Sequence, residues 1–260
     1  TRYIIVGKIL HFPLMKEVIM KNIKSLFVLI CSVALIMGSC AKKDDDATAA
    51  AAGTGTGNTA SGTISGIDYL TGTYSMSYNG QTPSGGCISN STAITALSSA
   101  LPSGTLGFKL DIIITSSTTW SKSLQYYSDA SCATLTGYFN LGYKNFVVGD
   151  SLSGLTAGSM GLPTTAKKVS YNEDNFVIKS YTDTVTSYYL STFGSGLTAL
   201  GFTQGKELVV TQDGDAEVNI WQTVIPSGST ETYLVMGNKS ASTYPTDWGS
   251  DVDIYWKPSE

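Results

Sequence analysis

The sequence predicts an all-β fold, and three observations carry that prediction. Beyond residue 70, apolar residues recur with a period of two. No long stretch shows the three-to-four spacing of an amphipathic helix, and the segments between alternating runs are rich in Gly, Ser, Thr and Asn. A period of two puts successive side chains on opposite faces of an extended chain, so these runs read as half-buried strands separated by turns.

The elements follow in order. Tyr74, Met76 and Tyr78 alternate with Thr73, Ser75 and Ser77, and Phe108, Leu110, Ile112 and Ile114 alternate with Gly107, Lys109, Asp111 and Ile113. Trp120 to Tyr127 forms a further strand with Leu124 and Tyr126 on one face. Leu135 to Val148 is long enough for a strand, a bend and a second strand. Val169 to Ile178 contains Asn172-Glu173-Asp174-Asn175, a turn signal between apolar ends. Asp213-Gly214, between Leu208–Thr211 and Val218–Val224, signals a hairpin. Thr232 to Met236 and Val252 to Trp256 complete a set of nine or ten strands. Ser91 to Leu101 reads as a short helix or a loop, and 151–165 and 191–205 as long loops or lids, the second opened by a short helix near Tyr188.

Three regions divide the chain: a leader over 1–39, a tether over 40–66 and one all-β domain over 67–260. The first nineteen residues show no pattern and fit an over-extended gene start. Lys21 and Lys24 then precede an apolar run from Leu26 to Met37, a dozen residues where a membrane span needs about twenty. Gly38-Ser39-Cys40 closes that run and resembles the lipobox of bacterial lipoproteins, in the looser spirochaete style. That resemblance implies a signal peptide, cleavage before Cys40, and a diacylglycerol and fatty acyl (palmitate-type) anchor on its thiol. The protein would sit in the cell envelope, tethered to the outer membrane with the bilayer as its first partner. Residues 41–66 contain no aromatic and one large aliphatic, Ile64, too little apolar surface to offset the entropy of ordering.

Composition narrows the function. Five of the 16 basic residues and one of the 20 acids precede Cys40, leaving eleven Lys, nineteen acids, no Arg and a formal charge of −8 in the mature chain. Such a chain offers no basic face for nucleic acid. The only histidine, His11, lies in the leader, which removes Ser–His and Cys–His dyads and His metal ligation from the mature chain. Cys31 lies in the apolar run and Cys40 at the anchor. Cys87 and Cys132 remain, and in an exported domain they are expected to form a disulfide. No catalytic motif, cofactor motif or metal motif stands out. Asp213, Asp215 and Glu217 offer oxygen donors, but their spacing is not that of an EF-hand, and they read as a solvated hairpin tip. Asp251 and Asp253 fit the outward face of a strand.

Two short motifs suggest an architecture. Leu70-Thr71-Gly72-Thr73-Tyr74 resembles the Gly-x-Trp opening of lipocalin-like barrels, with Tyr in place of Trp. Tyr127-Ser128-Asp129-Ala130-Ser131-Cys132 resembles an element of lipocalin-like bacterial lipoproteins in which an earlier Cys, here Cys87, is the partner. The resemblance implies an antiparallel lipocalin-like β-barrel of about eight to ten strands, with a β-sandwich as the alternative. In such a barrel, Tyr74, Tyr78, Trp120, Tyr126, Phe139 and Trp221 are the candidates to line a pocket for a small apolar ligand, and they would equally make a dry core. Tyr244, Pro245 and Trp248 are candidates for an exposed aromatic contact. The expected function is a non-enzymatic envelope lipoprotein that binds such a ligand or a macromolecular partner, including a host or envelope protein. The alternative is an adhesion or structural protein with a solid core and working loops.

Overall fold

One antiparallel sheet curls until its ends meet. The computed structural model describes residues 3–4, 70–76, 82–157, 161–212, 214–225, 230–249 and 252–257. Cys40, the tether, Tyr78, Asp213 and Asp251 lie outside them. The strands are β1 (Tyr3–Ile4), β2 (Gly72–Met76), β3 (Gly107–Ile114), β4 (Trp120–Tyr127), β5 (Leu135–Ser153), β6 (Thr165–Ser180), β7 (Leu208–Thr211), β8 (Ala216–Val224), β9 (Tyr233–Met236) and β10 (Asp253–Trp256). From β2 to β6 each strand pairs with the next. β8, β9 and β10 continue the series, and β10 returns to pair with β2 through Tyr255 opposite Met76. The result is a barrel, which leaves few strand edges open to a second chain.

Three local expectations are corrected. Asn172–Asn175 is not a turn: β6 runs through it, with a register shift opposite Gly142 and Tyr143. The strands flanking Asp213-Gly214 do not pair with each other as the hairpin signal predicts. β7 pairs with Asn175–Ile178 and β8 with Lys167–Asn172, so the two lie end to end along one side of β6. The link between them and the irregularity in β6 face each other, and a matched interruption lets both strands bend around the barrel. The strand, bend and second strand expected over Leu135–Val148 are one strand of 19 residues, in which Asn145 takes a left-handed φ of 53° inside a register shift. That shift frees the Phe146 N–H to bond the Thr118 carbonyl in the β3–β4 turn at 3.0 Å.

Alternation decides what fills the barrel. Phe108, Leu110, Ile112 and Ile114 on β3 stand opposite Tyr126, Leu124, Lys122 and Trp120 on β4, and all the apolar members are buried in one cluster. Phe139, Leu141 and Tyr143 on β5 and Val169, Tyr171, Phe176 and Ile178 on β6 extend it, with Trp221 and Leu234 closing the far wall. A second, smaller cluster forms on the outer face. There Trp248, Val252 and the hairpin residues Leu155 and Leu162 cover Ala166, Ile220 and Val235.

Three helices leave the same end of the barrel: α1 (Ser91–Ala96), α2 (Asp183–Phe193) and α3 (Ser195–Ala199). The Asn90 side chain caps α1 by accepting from Thr92 N–H at 2.8 Å, and Thr182 Oγ1 caps α2 by accepting from Val185 N–H at 3.3 Å. Val185, Tyr189 and Phe193, four residues apart, give α2 one buried stripe. Region 191–205, expected to be a loop or lid, is thus largely helical. The barrel admits α2 through Gly137, where a Cβ would stand 2.6 Å from Val185 Cγ1 and 2.9 Å from the Lys179 carbonyl.

Candidate functional site

The disulfide anchors the helical end. Cys87 and Cys132 are bonded, with Cα atoms 5.9 Å apart, and tie the segment before α1 to the β4–β5 hairpin. They lie against Gly107, where a Cβ would come within 2.8 Å of Cys132 Sγ. Asp129 organises the same hairpin. Its carboxylate accepts from the Ser131 hydroxyl and from the N–H groups of Ala133 (3.1 Å) and Thr134 (2.6 Å), and these bonds hold its ionisation well below the usual carboxylate range. The Ser-Asp-x-x-Cys spacing read from the sequence therefore has a structural cause: the acid folds the hairpin that presents the cysteine.

Five of the six candidate ligand residues, Tyr74, Trp120, Tyr126, Phe139 and Trp221, are described. All five are buried in the barrel cluster. The sixth, Tyr78, lies outside the described residues. Trp120 stacks on Tyr143 with centroids 3.8 Å apart, and meets Tyr171 and Trp221 edge-on at 5.0 Å. Phe139 stacks between Phe176 (6.2 Å) and Phe193 (5.9 Å), at the helical end. Burial pushes the Tyr74 hydroxyl up to about 12 and also raises those of Tyr171 and Tyr143. These side chains occupy the interior by packing on one another.

The interior also holds charge, which the sequence reading placed outside. Asp253 belongs to the inner face of β10 with Tyr255, and its carboxylate lies 3.6 Å from Lys122 Nζ. That ammonium stands 5.8 Å from the Tyr255 ring centre. The side chains of Lys122 and Asp253 are 12 % and 28 % exposed. Glu217, expected at a solvated tip, is likewise mostly covered and accepts from Lys239 Nζ at 2.9 Å. A lysine inside the barrel requires an acid beside it, because an unpaired buried charge costs several kcal/mol, or about that order. Among the described residues no three acids or cysteines group as metal ligands would.

Trp248 is also reassigned. It is not an exposed contact: it is buried on the outer wall, and its indole N–H donates to the Pro163 carbonyl at 2.6 Å. Asp247 beside it accepts from Thr156 N–H at 3.0 Å, so the segment before β10 is strapped to the β5–β6 hairpin. Tyr244 on that strap lies 5.4 Å from Lys168 Nζ.

An open cleft of about 520 Å³ lies outside the barrel wall, between the segment from Ser98 to Thr105 and the outer side of α2. Serine and threonine hydroxyls alternate there with Ile94, Leu101 and Pro102, and among the described residues no charged side chain lines it. Tyr188 spans its floor, with its hydroxyl donating to the Ala100 carbonyl at 2.7 Å. Sequence reasoning missed this cleft because 98–105 and α2 are far apart in the chain. The detectable signal was Thr182 followed by Val185, Tyr189 and Phe193, a capped stripe that marks a helix.

No protein-family model matches the chain, and no curated protein matches it.

Proposed function

We propose that the chain is a lipid-anchored, non-enzymatic lipoprotein of the cell envelope whose barrel is a rigid scaffold and whose binding surface lies at its helical end. The observation that carries the reading is the division between a filled interior and an open cleft. Trp120, Tyr143, Tyr171 and Trp221 interlock inside the barrel, whereas the neutral, hydroxyl-lined cleft opens outside it. The apolar run ending in Gly38-Ser39-Cys40 and the tether of small polar residues support the anchor. The disulfide suits an oxidising compartment. Among the described residues no helix is long and apolar enough to cross a membrane. The same filled core favours one further reading, a structural or adhesive module that works through its loops alone.

The anchor is tested by expressing the full chain in a bacterial host fed an alkyne-bearing palmitate. Wild type is expected to take up label and sediment with membranes, and Cys40→Ser to lose the label. Unlabelled wild type in the soluble fraction would reject the anchored reading.

A further inference from the structure

The cleft beside α2 divides into an apolar floor and a hydroxyl rim. Leu101 and Pro102 are buried in it, with Ile94 and Tyr188 half-buried beside them. Ser98, Ser99, Ser103 and Ser191 line it with exposed side chains. Each serine hydroxyl carries one donor and two acceptor sites. Among the described residues no charged side chain lines the cleft.

Both walls are set by bonds within the protein. The Thr105 N–H and hydroxyl donate to the Pro102 carbonyl at 3.2 and 2.7 Å and close a turn, in which Gly104 takes a left-handed φ of 78°. On the opposite wall the Ser191 hydroxyl donates to the Tyr188 carbonyl at 2.8 Å within α2, and its oxygen can still accept. The Tyr188 hydroxyl joins the two walls through the Ala100 carbonyl. Its ring is backed by Tyr126 of β4 and by Tyr189, with centroids 6.1 and 5.8 Å away. The ring is therefore a fixed surface, and binding against it carries little ordering cost.

This lining selects a ligand by its chemistry. A charged molecule would lose water in the cleft and find no counter-ion there. A hydrocarbon would use the floor and leave the rim without a role. A pyranose ring matches both parts, because it has a face of C–H groups and an edge of hydroxyls that both donate and accept. We propose that the cleft binds a neutral oligosaccharide, with a sugar face against Tyr188, Leu101 and Pro102 and its hydroxyls bonded to Ser98, Ser99, Ser103 and Ser191. The volume of about 520 Å³ falls within the range of about 300–1,000 Å³ usual for small-molecule sites and admits a short chain of sugars. The proposal rests on reading the helical end as the binding surface, and it adds the ligand class.

The test is amide hydrogen exchange of the whole chain, titrated separately with maltotriose, cellotriose and mannotriose, and with trigalacturonate as the charged counterpart. At least one neutral sugar is expected to slow exchange in 98–105 and 183–199, with trigalacturonate binding at least tenfold more weakly. Ser191→Trp places a ring in the cleft from an exposed position and should abolish that protection without lowering the melting temperature. Ser98→Ala with Ser103→Ala leaves the cleft open and should weaken binding about tenfold, as the loss of two neutral hydrogen bonds implies. No protection of these segments by any of the three neutral sugars, equal binding of trigalacturonate, or protection that survives Ser191→Trp would overturn the proposal. None of these readouts involves Cys40. Unlabelled wild type would therefore reject the anchor and leave this site standing, whereas labelled wild type that no neutral sugar protects would reject the saccharide site alone.

Discussion

Replacing Cys87 and Cys132 together by Ser should destabilise the domain by about 4 kcal/mol. The bond closes a loop with a sequence separation of 45. For that length, loop closure removes roughly 13 cal/mol/K from the unfolded chain, which gives about 4 kcal/mol at room temperature. The native side of the balance changes little, since both residues are only half-buried and Ser is close to isosteric. Equilibrium urea unfolding followed by tryptophan fluorescence reads the difference, with Trp120 and Trp221 reporting from the barrel centre. With a slope of about 2–3 kcal/mol per molar, the midpoint should fall by roughly 1.3–2 M. Hydrogen exchange should quicken first in 82–106 and 128–134, the two segments the bond joins. A midpoint shift below about 0.5 M at unchanged slope would refute the argument, because it would mean that the β2–β3–β4 pairing already restricts the unfolded chain as much as the bond does.

Other perturbations test other parts of the structure. Gly137→Ala drives a methyl into Val185 and the Lys179 carbonyl, and should cost about 1–3 kcal/mol in thermal or urea unfolding while loosening α2. Trp248→Ala empties the outer-wall cluster and removes the bond to Pro163, so a loss of about 3–5 kcal/mol is expected, with limited proteolysis appearing between 237 and 252. Asp129 is held in its charged form in the fold, so its contribution is complete above the unfolded carboxylate range and disappears as pH falls through its lower folded value. Asp129→Asn should therefore flatten the acid limb of a stability-versus-pH curve. Asp111 behaves in the opposite way. Burial raises its pKa despite the Ser75 hydroxyl that donates to it at 2.7 Å, so stability should fall as pH rises through the window above the usual carboxylate value. Asp111→Asn, which can still accept from Ser75, should raise the melting temperature at neutral pH, and a lower value would show that the charge is needed there.

The sequence by itself determined what depends on neighbouring residues. The alternation of Phe108, Leu110, Ile112 and Ile114 defined a strand and its inner face, because strand geometry alone assigns the sides. The pairing of Cys87 with Cys132 was expected by elimination, once Cys31 was read into an apolar leader and Cys40 as the acylated residue of a proposed anchor. The tertiary structure decided everything that depends on which strands meet. Asn172–Asn175 carries turn chemistry, yet β6 continues through it, and Leu208–Thr211 and Ala216–Val224 pair with successive parts of β6 instead of with each other. Asp253 and Glu217 look like surface acids in the chain, but barrel closure turns them inward beside Lys122 and Lys239. Trp248 resembles an exposed contact until the outer faces of β6, β8 and β9 supply a surface for it to cover. The cleft and the tyrosines behind it are the extreme case. Ala100, Tyr126 and Tyr188 belong to three separate segments, and only closure of the barrel under α2 brings them together.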